Sequence, residues 1–139
     1  MTGPEPRPDR HLDCDGWVLD TSAVLAAAVG TTDHARALVQ TAVEESVPLA
    51  VPAAALAASW GAAGPAGRLF VDLLLDLPVT VVDALDAPVA RAVGRVLDAR
   101  GPLDLGHVVA AARTRGWPVV TAVPESVALA PDVEVEPLP

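Results

Sequence analysis

The chain has 139 residues, of which 52% are hydrophobic and only 3% aromatic, so we expect one domain whose core is built from Ala, Val and Leu. Its formal net charge is −9. Nucleic-acid binding depends largely on neutralising phosphates, so an acidic chain is a poor general binder and a partner with a basic surface is the simpler expectation. Cys14 is the only cysteine, which excludes an intrachain disulfide and fits a reducing cytoplasm.

The first residues differ in composition from the remainder. Residues 1–15 are rich in proline and charge, which predicts a disordered N-terminal lead followed by one domain over residues 16–139. The lead has no apolar core and so does not resemble a signal peptide. No apolar run reaches the roughly 18 residues that a membrane span needs, so we expect a cytoplasmic protein with no membrane partner.

The first half of the domain alternates strand and helix patterns. Trp17–Asp20 predicts a short strand, and Thr21 or Ser22 can cap the helix that runs to Val29 and stops at Gly30. An amphipathic helix follows from Asp33, and residues 47–51 predict a second strand, closed by Pro52.

The next helical pattern is interrupted by small residues. Residues 53–60 and 68–75 predict helices, and the Gly-rich stretch 61–67 between them predicts a flexible connection. A strand of β-branched residues is expected over residues 78–82.

The second half repeats the alternation. Asp86 is placed to cap a helix over residues 87–100, and Asp104 to cap one over residues 105–115. Residues 118–121 predict a strand, and residues 133–135 a last strand at the sheet edge. Alternating strands and helices indicate a parallel α/β sandwich with right-handed crossovers.

Four segments in order resemble the PIN-domain (VapC-toxin-like) family, the nuclease fold of many bacterial toxins. They are Val18-Leu-Asp-Thr-Ser-Ala-Val24, Leu49-Ala-Val-Pro-Ala-Ala-Ala-Leu-Ala57, Leu105-Gly-His-Val-Val-Ala-Ala-Ala-Arg113 and Trp117-Pro-Val-Val-Thr-Ala122. The resemblance implies a three-layer α/β/α sandwich with a mostly parallel central sheet. It also implies three or four acids that hold Mg²⁺ or Mn²⁺.

When the acids that the resemblance implies are compared with this sequence residue by residue, only one of the expected positions holds an acid. Asp20 matches the first family acid. The positions where the resemblance implies the other acids hold Ala58, Leu105 and Val123. Glu125 lies two residues beyond the last of these. A lone carboxylate in water holds Mg²⁺ weakly, so no resident cofactor is expected.

Two aspartates keep more than one interpretation. Asp104 lies one residue before the position of an expected acid. In one interpretation Asp20 and Asp104 together hold one metal ion and are the catalytic and metal-ligating residues. In the other, Asp104 only caps its helix. Asp20 could instead accept hydrogen bonds from the helix that follows it. The residues expected to line the same crevice are Ser22, Ala58, Leu105, Thr121 and Val123. His107 is either a phosphate contact or, as the preferred interpretation, a solvent-facing or locally bonded residue.

These patterns lead to three functional hypotheses. The first is a bacterial, cytoplasmic pseudo-nuclease related to toxin–antitoxin systems, acting through an antitoxin-like protein partner or through itself as a homodimer. The alternative is a Mg²⁺- or Mn²⁺-dependent endoribonuclease that uses Asp20 and Asp104, with RNA as a partner only in that case. The third is a small-molecule or peptide-binding module that uses an apolar crevice.

Overall fold

The computed structural model describes residues 15–30, 32–98 and 100–139, so the predicted N-terminal lead lies outside the described residues except for Asp15. The strands are β1 (Trp17–Leu19), β2 (Leu49–Pro52), β3 (Thr80–Asp83), β4 (Val119–Thr121) and β5 (Val135–Pro137). The helices are α1 (Thr21–Val29), α2 (Asp33–Glu45), α3 (Ala53–Asp76), α4 (Ala87–Leu97) and α5 (Leu103–Arg115), with a 3-10 turn at Pro124–Val127.

The five strands form one sheet in the order β3-β2-β1-β4-β5, and every pairing between them is parallel. The chain first builds outward from β1 through β2 to β3, then crosses to the other side of β1 for β4 and β5. The order therefore reverses between β1 and β4, where open α/β sheets form a crevice at the carboxyl ends of their strands. The predicted three-layer α/β/α sandwich is confirmed.

Two apolar clusters pack the opposite faces of the sheet. Trp17, Leu19 and Val51 face α1, α2 and the second half of α3. Val18 and Ala50, which pair with each other in the register of β1 and β2, face α5. Because both central strands are covered on both faces, their sequences are continuous apolar runs without polar alternation.

The predicted flexible connection at residues 61–67 is wrong. Within α3 only Gly64 leaves helical geometry, with φ 70° and ψ 175°, and Pro65 restarts the helix. A proline suits this position because the first turn of a helix needs no donor from it. The small size of Gly67 serves packing across this kink, since a Cβ atom on it would lie 2.8 Å from the Ala63 Cβ, while the Ala28 Cβ of α1 is at an ordinary contact distance of 3.8 Å.

Two helix boundaries also differ from the prediction. Helix α4 ends at Leu97, where Asp98 takes a left-handed conformation. Helix α5 begins at Leu103 after an extended Pro102, so Asp104 lies in its first turn and does not cap the helix. None of the helices in the described ranges is both long enough and apolar enough to span a bilayer.

Candidate functional site

Asp20 lies where β1 meets α1 and is only 6% exposed. Its Oδ1 accepts the Ala23 N–H at 2.8 Å and the Ser22 hydroxyl at 2.6 Å. Asp20 is therefore the N-cap of α1, and neither Thr21 nor Ser22 has the capping role that the sequence allowed them. The alternative that Asp20 holds its own helix is confirmed.

A chain of hydrogen bonds joins the carboxyl ends of β1 and β4. The Val123 N–H donates to Thr121 Oγ1 at 3.0 Å, and Thr121 Oγ1 lies 3.2 Å from Ser22 Oγ. Ser22 Oγ also accepts the Ala122 N–H at 2.9 Å. Because the Ser22 hydroxyl donates its proton to Asp20, the Thr121 hydroxyl must donate to Ser22. Every hydrogen bond of this series therefore donates in the direction of the Asp20 carboxylate.

Asp104 reaches towards the same place from α5. Its Oδ2 accepts the Thr21 hydroxyl at 2.5 Å, so its side chain contacts the residue next to Asp20. No local pattern signals this contact, because the two residues are 83 positions apart in the chain. The structure thus brings Asp20, Thr21, Ser22, Asp104 and Thr121 into one polar group, hereafter the β1–β4 polar group.

A hollow of about 390 Å³, hereafter the α3 hollow, lies beside this group. Its lining residues are Ala53, Ala54, Ala57, Ala58, Leu85, Leu103 and Asp104. Ala58 is thus at the place that the resemblance assigns to an acid. Leu105 is instead partly buried and packs against the apolar cluster beneath α5, which corrects its expected place in the crevice, whereas Leu103 is 56% exposed. Val123 is 41% exposed just after β4.

The polar group offers few ligands for the divalent ion that the resemblance implies. Within the described residues, no group of three or more His, Cys, Asp or Glu could hold a metal ion. Oδ2 of Asp20 and Oδ1 of Asp104 accept no hydrogen bond from any described residue, so each carboxylate keeps one oxygen available. Two carboxylates fall short of the three or four acids that the resemblance implies.

His107 is fully buried, 1% exposed, which corrects the preferred expectation of a solvent-facing or locally bonded side chain. Its Nδ1 accepts the Ala54 N–H at 3.2 Å across 53 residues of sequence. Pro52, the residue before α3, makes no side-chain capping bond, so His107 performs that function for α3. Burial lowers the pKa of His107, and the nearby Asp83 charge and Ala84 backbone oppose this without overcoming it.

Asp83 and Asp86 are close in sequence but have separate roles. Asp86 caps α4 through the Val89 N–H at 3.0 Å, as predicted. Asp83 ends β3 and pairs with Arg115 at the end of α5 through both guanidinium nitrogens, at 2.9 and 2.5 Å. This side-chain hydrogen bond raises the pKa of Arg115. Sequence reasoning missed the pair because 32 residues separate its members.

Comparison with known proteins identifies the fold. No protein-family model and no curated protein matches the sequence. Among solved structures, the chain is similar to FitAB bound to an IR36 DNA fragment, with 19% identity and a TM-score of 0.62 over 87% of this chain and 94% of that one. It is also similar to VapBC2 from Rickettsia felis bound to a DNA fragment from their promoter, with 16% identity and a TM-score of 0.60 over 87% and 97% of the two chains. The predicted PIN-like fold is confirmed.

Proposed function

We propose that this chain is a PIN-like protein that does not cleave RNA and acts in the cytoplasm through contacts with a protein partner of the antitoxin type. The observation that carries the proposal is the lining of the α3 hollow. Ala58 lies where the resemblance implies an acid, and Asp104 is the only charged residue among the described residues of that lining.

Metal chemistry explains why this matters. Mg²⁺ requires an octahedral oxygen shell and gives up water reluctantly, so few carboxylates mean weak binding. A nuclease metal must also activate water and neutralise the charge that develops in the transition state. The oxygens of the β1–β4 polar group are already committed in part: Asp20 Oδ1 caps α1, and Thr121 and Ser22 hold each other. These bonds support a structural role for the group.

A partner surface is supported by exposed apolar side chains. Leu69 and Leu73 lie one turn apart on α3 and are 68% and 64% exposed. The two solved structures compared above are toxin–antitoxin complexes, which favours an antitoxin-type partner. The net charge of −9 favours a partner with a basic face. A homodimer would cover the same side chains.

One observation favours a second candidate function. Because the Asp104 carboxylate binds Thr21 beside Asp20, the two acids could share one ion through water molecules. In that case the chain would be a Mg²⁺- or Mn²⁺-dependent endoribonuclease.

Cleavage assays separate the two candidates. The purified chain is incubated with structured RNA and either Mg²⁺ or Mn²⁺, beside Asp20→Asn and Asp104→Asn. We expect no cleavage above the level of the two variants. Cleavage by the unmodified chain that Asp20→Asn abolishes would establish the endoribonuclease instead.

A restoration variant examines the missing acids directly. Ala58 and Val123 are both exposed, so Ala58→Glu/Val123→Asp adds two carboxylates with little effect on packing. We expect this variant to bind Mn²⁺ more tightly than the unmodified chain in calorimetry. Equal affinities would mean that these positions do not face the metal site.

The partner surface has its own test. Leu69→Glu/Leu73→Glu is compared with Leu129→Glu, which changes an apolar residue that is 40% exposed elsewhere. Binding is measured with the purified product of the neighbouring gene, and self-association by light scattering. We expect only the double variant to lose the complex. If Leu129→Glu is equally disruptive, the α3 leucines are not the contact.

A further inference from the structure

A second, larger hollow lies between the first turns of α4, the length of α5 and the loop after β3. Its volume is about 760 Å³, within the roughly 300–1,000 Å³ typical of small-molecule sites. Most of its wall is apolar and small: Ala84, Pro88, Val89, Ala92, Ala110 and Ala111. We call it the α4–α5 hollow. It is separate from the α3 hollow and shares none of the residues that line it.

One buried polar atom is available in this wall. His107 lines the α4–α5 hollow and is 1% exposed. Because Nδ1 accepts the Ala54 N–H, the proton of the neutral ring lies on Nε2. Among the described residues Nε2 has no acceptor within hydrogen-bond distance and angle, although the nearby Ala84 backbone raises the pKa of the ring. A buried donor without an acceptor is unfavourable, so the site favours an occupant that brings one.

The charged groups around the hollow are engaged elsewhere. Asp83 binds both nitrogens of Arg115, whose guanidinium also lies 4.7 Å from the centre of the Trp117 ring. Gly16 packs closely against the same ring, since a Cβ atom on it would lie 2.7 Å from three of the ring atoms. Asp86 also lines the hollow, and it caps α4 through the Val89 N–H. The two acidic side chains that line the hollow therefore disfavour anions, and the Trp117 ring already contacts Arg115.

We propose that the α4–α5 hollow binds a small, uncharged and mainly apolar molecule whose carbonyl-type oxygen accepts a hydrogen bond from His107 Nε2. The apolar wall supplies most of the contact, and the buried His107 donor fixes the orientation of the ligand. The same imidazole holds the first turn of α3 through Ala54, so the Ala54 amide reports on occupancy.

The test uses a pair of probes of nearly equal shape. Acetophenone carries a carbonyl oxygen where α-methylstyrene carries a methylene group, and both are uncharged. Each is titrated into the full chain labelled with ¹⁵N, and dissociation constants are taken from amide shifts. We expect acetophenone to bind at least about tenfold more tightly, since only it pairs with the buried donor. Benzoate should bind more weakly than acetophenone because of Asp86.

Two pairs of variants locate the site. Ala92→Leu fills the hollow, whereas Ala90→Leu places the same side chain on the exposed side of α4. We expect Ala92→Leu to abolish binding of both probes and Ala90→Leu to leave it unchanged. His107→Asn keeps an acceptor for Ala54 but places no donor at the position of Nε2, so it should make the two probes bind equally. His107→Gln keeps a donor near Nε2 and should retain part of the preference.

Four results would overturn the proposal. The first is no saturable shift with either probe up to 1 mM, on the order of a weak fragment's affinity. The second is equal binding of both probes to the unmodified chain. The third is an amide shift map confined to the α3 hollow. The fourth is a crystal soak in which ordered water alone pairs with Nε2 at saturating acetophenone.

Discussion

The role assigned to Asp20 can be separated into its oxygen and its charge. Asp20→Ala removes the acceptor of two hydrogen bonds, from the Ala23 N–H and the Ser22 hydroxyl. Loss of the cap costs about 1 kcal/mol. Loss of the acceptor for a partly buried hydroxyl costs about 1 kcal/mol more. We therefore expect Asp20→Ala to lower the free energy of unfolding by about 2 kcal/mol.

Asp20→Asn is the matched control, because an amide oxygen can accept both bonds and Asn caps helices as well as Asp does. It gives up the charge at the helix N-terminus, which is worth about 0.5 kcal/mol. Urea unfolding followed by tryptophan fluorescence measures both variants, and the fully buried Trp17 lies in the strand before Asp20. With a slope of about 2 kcal/mol/M, the midpoint should fall by about 1 M for Ala and about 0.25 M for Asn.

Adding Mn²⁺ to the same experiment distinguishes a capping carboxylate from a metal ligand. An ion present at 100 times its dissociation constant would stabilise the folded chain by about 2.7 kcal/mol. We expect 1 mM Mn²⁺ to leave all three midpoints unchanged. The reasoning is refuted if Asn is as damaging as Ala, or if Mn²⁺ raises the midpoint of the unmodified chain and not that of Asp20→Asn.

Two more predictions concern α5. A Cβ atom on Gly106 would lie 2.7 Å from Leu97 Cγ, so Gly106→Ala should lower the free energy of unfolding by about 1 kcal/mol after its gain in helix propensity. The control is Gly94→Ala, whose added Cβ atom would have no other atom within 4 Å, and it should raise the free energy of unfolding by about 0.5 kcal/mol. If chemical denaturation shows that both variants are more stable than the unmodified chain, the tight contact between α4 and α5 is contradicted. Because burial lowers the pKa of His107 from 6.5 despite the Asp83 charge, the unfolded chain binds this proton at higher pH than the folded one. The free energy of unfolding should therefore fall as the pH drops through 6.5 and level off below the lowered pKa. Unfolding curves measured between pH 5 and 7.5 should show this fall for the unmodified chain and not for His107→Asn. The same pH dependence in both proteins would contradict the buried neutral ring.

Local patterns were sufficient to predict most of the fold. Short apolar runs mark the strands, and Gly30 and Gly116 end their helices in left-handed conformations, as the sequence predicts. Asp20 was placed correctly because a strand end and a helix start meet at one residue. The composition of residues 61–67 was misleading, since small residues allow close helix packing as readily as they form loops.

The candidate site depends on contacts between residues that are distant in sequence. The start of α5 was misplaced because Pro102 sets it without any side-chain bond. That shift puts Asp104 inside the first turn, where it meets Thr21. His107 lies on the apolar face of α5, and its partner Ala54 belongs to another helix. No periodicity or spacing rule encodes such pairs, whereas a polar residue within an apolar stripe is a signal worth examining.

The reversal of strand order between β1 and β4 has a consequence for how such proteins change over time. A cleft that arises from chain connectivity persists whatever side chains stand at its mouth. Substitutions there can replace one chemistry by another, or by none, while the scaffold stays intact. Retention of shape and retention of activity are thus under separate constraints, and an architecture can outlast the reaction it once supported.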